Sequence, residues 1–339
     1  MATIAVDAMG GDFAPRAVVE GAAESLDLLE GDFDILLVGA EEQVRDELER
    51  VGKAGSARIR VVDASESIGM GESPASAVRS KKKASINVAV DLVKGGEANA
   101  VVSAGNTGAA VAASVLKLRV LPGVERPGIA TVFPSPNGHF VLLDVGSNID
   151  CKPSHLVQYA IMGDIYEREV LGTENPRIGL LNIGDETGKG NELTREAFAL
   201  LDKVRGINFI GNVEGHDLFG GGVDVVVCDG FVGNVVLKAS ESLAHAIQEI
   251  LKRNLFKNPL RVLGAFLSRN AYRELKQACD SAEFGGVPLL GINGVCIIGH
   301  GASGPKAIRN GIRVALECID HCVNEHIVEA LSKHGTDTN

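Results

Sequence analysis

The chain predicts an α/β fold, three layers deep, in which a mostly parallel sheet lies between helices. Apolar runs of a strand's length recur along it, as expected of strands buried on both faces. Each run ends in a glycine-bearing turn and is followed by apolar residues at helical spacing, so strands and helices alternate. With 339 residues, 45% of them apolar, the chain can bury a core of that size as one large unit or two lobes.

In order, residues 3 to 12 (TIAVDAMGGD) read as a strand ending in a glycine turn, with Pro15 placed to open a helix. Residues 33 to 40 (FDILLVGA), a helix and residues 58 to 64 (RIRVVDA) continue the alternation. Residues 65 to 83, with Gly69, Gly71, Pro74, Arg79 and Lys81 to Lys83, read as a mobile flap whose basic cluster is either a solvated face or a hold on an acidic partner. Residues 99 to 118 give a strand, the turn Gly105 to Gly108 and an alanine-rich helix, and residues 139 to 148 repeat the design with Asp144, Ser147 and Asn148 before a helix at Pro153. Residues 222 to 240 place Asp229, Gly230, Phe231, Val232, Gly233 and Asn234 at a strand end, and residues 294 to 311 lead through a last glycine turn into a terminal helix. A lobe boundary near 150, with return near 287, divides the chain into 1–150 plus 287–335 and 151–286. Ligands of such sheets bind beyond the carboxyl ends of the strands, so distant turns are expected to meet in one cleft.

Residues 177 to 204 organise the rest. Ile178, Leu180, Leu181 and Ile183 form the strand, and the turn from Gly184 to Asn191 carries three glycines and Lys189. Asn191 is placed to cap a helix whose apolar side is Leu193, Ala197, Leu200, Leu201 and Val204. A helix N-terminus, glycine N–H groups and a lysine suit an anion; the alternative is an ordinary turn with Lys189 in solvent. The spacing is wrong for a nucleotide P-loop, because three residues separate Gly184 from Gly188 and Gly190 stands where a magnesium-binding hydroxyl is required. Gly299, Gly301 and Gly304 match GxGxxG, but no strand with an acidic end follows, which argues against a dinucleotide.

A net charge of −11 argues against broad nucleic-acid binding. No apolar run approaches a membrane span, and no basic region precedes the first strand, so a cytoplasmic protein is expected. The cysteines at 151, 228, 279, 296, 318 and 322 form no CxxC pair and read as reduced core residues, and Cys318 and Cys322 beside His321 are a weak metal set. No metal or cofactor is expected.

VDAMGGDFAP (6 to 15), SAGNTGA (103 to 109), LDVGSNIDCKP (143 to 153), IGDETGKGNE (183 to 192), GNVEGHDLF (211 to 219), DGFVGNVVLK (229 to 238) and GHGASG (299 to 304) span nearly the whole chain. Together they resemble the phosphate acyltransferases of bacterial phospholipid synthesis, the PlsX family. The resemblance implies transfer of a long acyl group from acyl carrier protein to inorganic phosphate, giving acyl phosphate for a membrane glycerol-3-phosphate acyltransferase. It also implies a fold similar to phosphotransacetylases and isocitrate/isopropylmalate dehydrogenases, a homodimer, and peripheral attachment to the inner face of the membrane. The main alternative is a phosphate acetyl- or butyryltransferase using acyl-CoA.

On that resemblance Lys189 and Asn234 are the active-site pair. Gly188 and Gly190 supply N–H donors, Asn106 and Thr107 are phosphate or acyl contacts, and Asp229, Gly230 and Gly233, on the turn around Asn234, are substrate-binding residues; the other reading of Asn234 is a helix N-cap. His216 and His300 are either proton donors to the departing thiolate or structural. Residues 246 to 276 carry seven basic and two acidic side chains, a local charge of +5. With Leu255, Phe256, Arg261, Leu263, Phe266 and Leu267 they suggest contact with anionic lipid, the acidic carrier protein or a second subunit.

Overall fold

The computed structural model describes residues 1–136, 138–278 and 285–335. The strands are β1 (Ala2–Asp7), β2 (Phe33–Gly39), β3 (Ile59–Asp63), β4 (Ala100–Ser103), β5 (Gly128–Ser135), β6 (Gly138–Leu143), β7 (Arg177–Leu181), β8 (Asn208–Val213), β9 (Val225–Val227), β10 (Val287–Leu290) and β11 (Val295–Ile298). They form one sheet in the order β3-β2-β1-β4-β11-β10-β5-β6-β9-β7-β8. Pairing is parallel from β3 to β11 and again from β6 to β8; only β10 with β11, β10 with β5, and β5 with β6 are antiparallel.

Those three antiparallel steps reverse the sheet. Going from β11 through β10 and β5 to β6, strand direction changes three times, so β6, β9, β7 and β8 run opposite to β1, β4 and β11. The carboxyl ends of the two parallel groups therefore lie at opposite edges. The single carboxyl edge expected from the alternation is corrected accordingly: β5 is a return strand that no glycine turn and helix follow, and the stretch from 128 to 135 carried no signal of direction.

Helices cover both faces. On one side lie α1 (Arg16–Leu28), α2 (Glu41–Arg50), α6 (Pro153–Glu169), α7 (Glu192–Leu201), α11 (Pro305–Asp320) and α12 (Val323–Gly335), with Val18, Leu156, Tyr159, Leu201, Ile312 and Ile327 in their core. On the other lie α3 (Pro74–Ser80), α4 (Ser85–Lys94) and α5 (Thr107–Lys117), with Val78, Val90, Ala110 and Ala113 buried against Val101 and Ile298. The small side chains of α5 let it approach the sheet closely, as its alanine content predicts.

Three local readings are corrected. The strand of the central stretch stops at Leu181, and Ile183 is 80% exposed because the chain has already turned. Helix α7 ends at Leu201, with Leu200 exposed and Val204 beyond it. Residues 74 to 94, read partly as flap, form α3 and α4, with Pro74 in the first turn.

Helix α8 (Gly230–Leu255) is 26 residues, about 39 Å at 1.5 Å per residue. Its buried residues are Gly230 and Gly233, at its very start. It carries α9 (Pro259–Leu267) and α10 (Arg269–Ala278), and α9 buries none of its residues. Apolar side chains stay open along this arm, Phe256 by 67%, Leu260 by 79% and Leu267 by 76%. Among the described residues no helix is long and apolar enough to cross a membrane.

Candidate active site

The strand reversal leaves a gap in the helix layer between α5 and the base of α8, floored by β5, β10 and β11. A cleft of about 610 Å³ fills that gap. Thr107 and Gly108 enter from one edge, Gly146 and Asn234 from the other, and the loop Gly299 to Gly304 closes the side. Distant turns do converge on one cleft, although they approach from opposite edges.

Asn234 is held by a buried scaffold. Asp144, fully buried, accepts from the N–H groups of Ile129 (3.0 Å), Gly146 (3.2 Å), Ser147 (2.9 Å) and Asn148 (2.7 Å) and so locks the turn after β6. Burial raises its carboxyl above the ordinary range, and these donors pull against that rise. The Gly230 N–H then donates to the Asn148 carbonyl at 2.8 Å, which pins the start of α8 to this turn. Gly233 is buried there because its backbone touches that of Asp144 and leaves no room for a Cβ.

The helix cap is Asp229, whose Oδ1 accepts from the N–H groups of Phe231 (3.0 Å) and Val232 (2.9 Å). The cap reading of Asn234 is thereby corrected: it sits inside the first turns of α8, exposed at the cleft. Its amide has no protein partner among the described residues. Asp229, Gly230 and Gly233 shape the turn and do not line the cleft.

Lys189 stands on the turn after β7, the strand beside β9, so its turn and that of Asn234 share one edge of the sheet. The turn is closed by Lys189 N–H to Glu186 O at 3.0 Å and by Asn182 Nδ2 to Lys189 O at 3.2 Å. Asn191 caps α7 through Thr194 N–H at 2.9 Å, as its position predicts. The N–H groups of Gly188 and Gly190 donate to no protein atom among the described residues, so they remain open to a ligand. Gly190 needs its glycine, with φ at 92°. The Lys189 side chain is 51% exposed, with Nζ 3.7 Å from Glu186 Oε2, and it does not line the cleft.

Of the first edge's pair, Thr107 lines the cleft and Asn106 does not. Asn106 caps α5 through Ala109 N–H (3.0 Å) and donates its amide to the carbonyls of Gly69 (3.3 Å) and Met70 (3.1 Å), tying down the loop before α3. Lys81 of the basic cluster bonds Glu72 (2.8 Å) and the Ser67 carbonyl (3.0 Å), so it clamps the same loop. His300 lines the cleft with Nδ1 accepting from Ala302 N–H at 3.2 Å. His216 lies elsewhere, 75% exposed and 3.3 Å from Asp217.

Two cleft residues escaped the sequence reading. Lys238 is one helical turn beyond Asn234, a spacing that puts both on one face of α8, and it pairs with Glu241 at 2.9 Å. Thr131 on β5 has a buried hydroxyl without a partner, and no motif surrounds it. The described cysteines are all free: Cys228, Cys296 and Cys318 are buried, Cys151 is half-buried, and Cys322 is exposed, which corrects its reading as core. Cys279 lies outside the described residues. Cys151, beside the turn after β6, has its thiol pushed up to about 11 by burial and is a poor nucleophile.

On the arm, Leu255 is half-buried, while Phe256, Leu263, Phe266 and Leu267 are exposed. Arg261 turns back, its guanidinium 3.2 Å from the Asn254 carbonyl, and stiffens the corner between α8 and α9. Arg269 stacks over Phe266 at 4.7 Å.

Among solved structures, a phosphotransacetylase from Streptococcus pyogenes superposes with a TM-score of 0.61 at 16% identity, over 98% of this chain and 94% of that one. A branched-chain phosphotransacylase from Enterococcus faecalis gives 0.57 at 15%, over 94% and 100%. At these identities the likeness is one of fold. Sequence relatives are far nearer. The phosphate acyltransferase of Citrifermentans bemidjiense is 52% identical over 330 residues, 97% of this chain and 93% of that protein. That of Desulfitobacterium hafniense is 51% identical over 331 residues, covering 97% and 98%. The family described as "Fatty acid synthesis protein" matches residues 2–326. Identity at this level along almost the whole chain, on a phosphotransacylase-like fold, makes this acyltransferase a member of the fatty acid synthesis protein family to which the phosphate acyltransferases belong.

Proposed function

We propose that the protein transfers a long-chain acyl group from the thioester of acyl carrier protein to inorganic phosphate, releasing acyl phosphate for phospholipid synthesis. The observation that carries this reading is the uncommitted Asn234 amide in the cleft, on the same sheet edge as the Lys189 turn of the neighbouring strand, whose Gly188 and Gly190 N–H groups are open. Phosphate is itself the nucleophile: its oxygen attacks the thioester carbon, negative charge develops on the carbonyl oxygen, and the C–S bond breaks to release the thiolate. Holding the two reactants together is worth roughly 7 to 11 kcal/mol. One aimed donor at the oxyanion contributes roughly 3 to 4 kcal/mol, the role assigned to Asn234.

In this scheme Lys189 leaves its loose contact with Glu186 and holds phosphate over Gly188 and Gly190. Thr107 and Lys238 bind from the cleft walls, and His300 protonates the leaving thiolate. The exposed arm, Leu255 to Leu267, docks on an anionic membrane surface or on the acidic carrier protein, and its α8 portion serves a homodimer. The protein then works in the cytoplasm at the inner face of the membrane, beside a glycerol-3-phosphate acyltransferase. The two-lobe division near residue 150 belongs to the same proposal.

The test is acyl phosphate formation from palmitoyl carrier protein and from acetyl-CoA, each with and without orthophosphate. Phosphate-dependent turnover confined to the carrier-protein thioester is expected; preference for acetyl-CoA would establish the acetyl- or butyryltransferase reading instead.

A further inference from the structure

Helix α5 is apolar on two sides. Its inner side, with Ala109, Ala110 and Ala113, is buried on the sheet. Its outer side carries Gly108, Val111, Ala112 and Val115 at i, i+3, i+4 and i+7, where a solvent-facing helix would carry polar residues. These four are half-buried, and they form one wall of a second cavity of about 670 Å³. Pro74, packed against Gly108, and Val120 and Pro127 complete the apolar lining.

The cavity adjoins the candidate active cleft, with Thr107, Gly108 and Gly146 lining both. Its wall is long enough for much of one fatty chain: from Gly108 to Val115 it runs about 10 Å at 1.5 Å per residue, against about 15 Å for one leaflet of a ~30 Å hydrocarbon layer. Charge enters the lining beyond the end of α5, at Arg119, and on the loop before β5, at Glu125 and Arg126.

We infer that this groove holds the hydrocarbon tail of the fatty acyl substrate, along Gly108, Val111, Ala112 and Val115, and delivers the thioester carbon to the cleft at Thr107 and Gly146. The inference rests on the acyl-transfer reading above and adds to it the place where chain length is measured. Each methylene that enters the groove tightens binding by up to about fourfold, the equivalent of ~0.8 kcal/mol. The series ends where the groove is full.

Titration calorimetry of the full chain with alkyl phosphonates from butyl to hexadecyl, kept below their micellar concentrations, tests this without requiring turnover. Affinity should rise with chain length and then level. In Ala112→Phe it should level several methylenes earlier, with butyl phosphonate unaffected; Ala112→Leu should shorten the series less and serves if the larger side chain lowers the melting temperature. Affinity independent of chain length, or an unchanged series in both variants, would overturn the groove. So would a second copy of this chain seated on α5, seen as a concentration-dependent mass that falls in the variants while no alkyl chain binds. Length-dependent binding truncated by the variants, without phosphate-dependent thioester cleavage, would remove the acyl-transfer reading and leave the groove standing.

Discussion

Gly233→Ala probes the link between the buried scaffold and the reaction. A methyl group built on Gly233 overlaps the Asp144 carbonyl oxygen and comes within 2.9 Å of Cys228 Sγ. The obstacle is backbone, and the Asp144 carboxylate bonds to the N–H groups of Ile129, Gly146, Ser147 and Asn148 keep it from yielding. The start of α8 has to retreat by on the order of 1 Å, in a region packed as densely as a protein interior. Overpacking of this kind costs about 1 to 3 kcal/mol, offset by about 1 kcal/mol from the better helix propensity of alanine. The variant should therefore fold with a modestly lowered urea midpoint. Asn234 follows Gly233 directly and moves with it, and a misplacement of about 1 Å at a catalytic donor costs on the order of 100-fold in rate. Phosphate-dependent acyl transfer under saturating substrate is the assay. Gly55→Ala is the control, since nothing lies within 4 Å of its added methyl, and it should leave both stability and rate alone. A folded Gly233→Ala variant working within about threefold of the parent would refute the claim that the Asp144 turn positions Asn234.

Lys189→Ala should lower kcat by roughly 100- to 1,000-fold. The unfolding free energy from urea titration should stay within about 0.5 kcal/mol of the parent, because the side chain is half exposed and its contact with Glu186 is long; near-parental turnover would remove it from the site. Leu263→Glu with Phe266→Glu should weaken flotation with anionic vesicles by at least ~100-fold, since each side chain loses roughly 1.5 kcal/mol or more of burial. Unchanged flotation would take the membrane role from the arm. The His139 pKa is raised from 6.5 chiefly by its hydrogen bond to buried Glu167, at 2.8 Å. That contribution to stability is fully present below 6.5 and is lost as pH rises through the raised value. The parent should melt above His139→Gln near about pH 6, and the gap should narrow toward about pH 9; a constant gap would show that the pair does not titrate.

Much of this was legible in the chain because local chemistry and global placement agree. Asn191 caps the helix it precedes, Pro153 begins α6, and the alanines of α5 lie on the sheet. What sequence could not show is direction. A strand such as β5 has the same apolar pattern whether it runs up or down, so the reversal that creates the cleft left no trace in periodicity. For the same reason Thr131, buried in the floor by pairing across β5 and β6, had no signal, whereas Lys238 was one helical turn from a residue already singled out. Asn106 has a structural duty that its turn did not announce. A polar side chain on a glycine turn reads alike whether it holds a ligand or, as here, a neighbouring loop.

The joint between the two parallel groups is thin: among the described residues β10 meets β11 through Val287 with Ile298 and Pro288 with Ile297, and β5 through Leu289 with Ile129 and Leu290 with Gly128. A wide sheet resists bending along most of its width, yet this seam has almost nothing to break. Any flexure of the sheet beneath the trench is therefore expected along β10, where both ladders are short, while the two parallel flanks stay stiff.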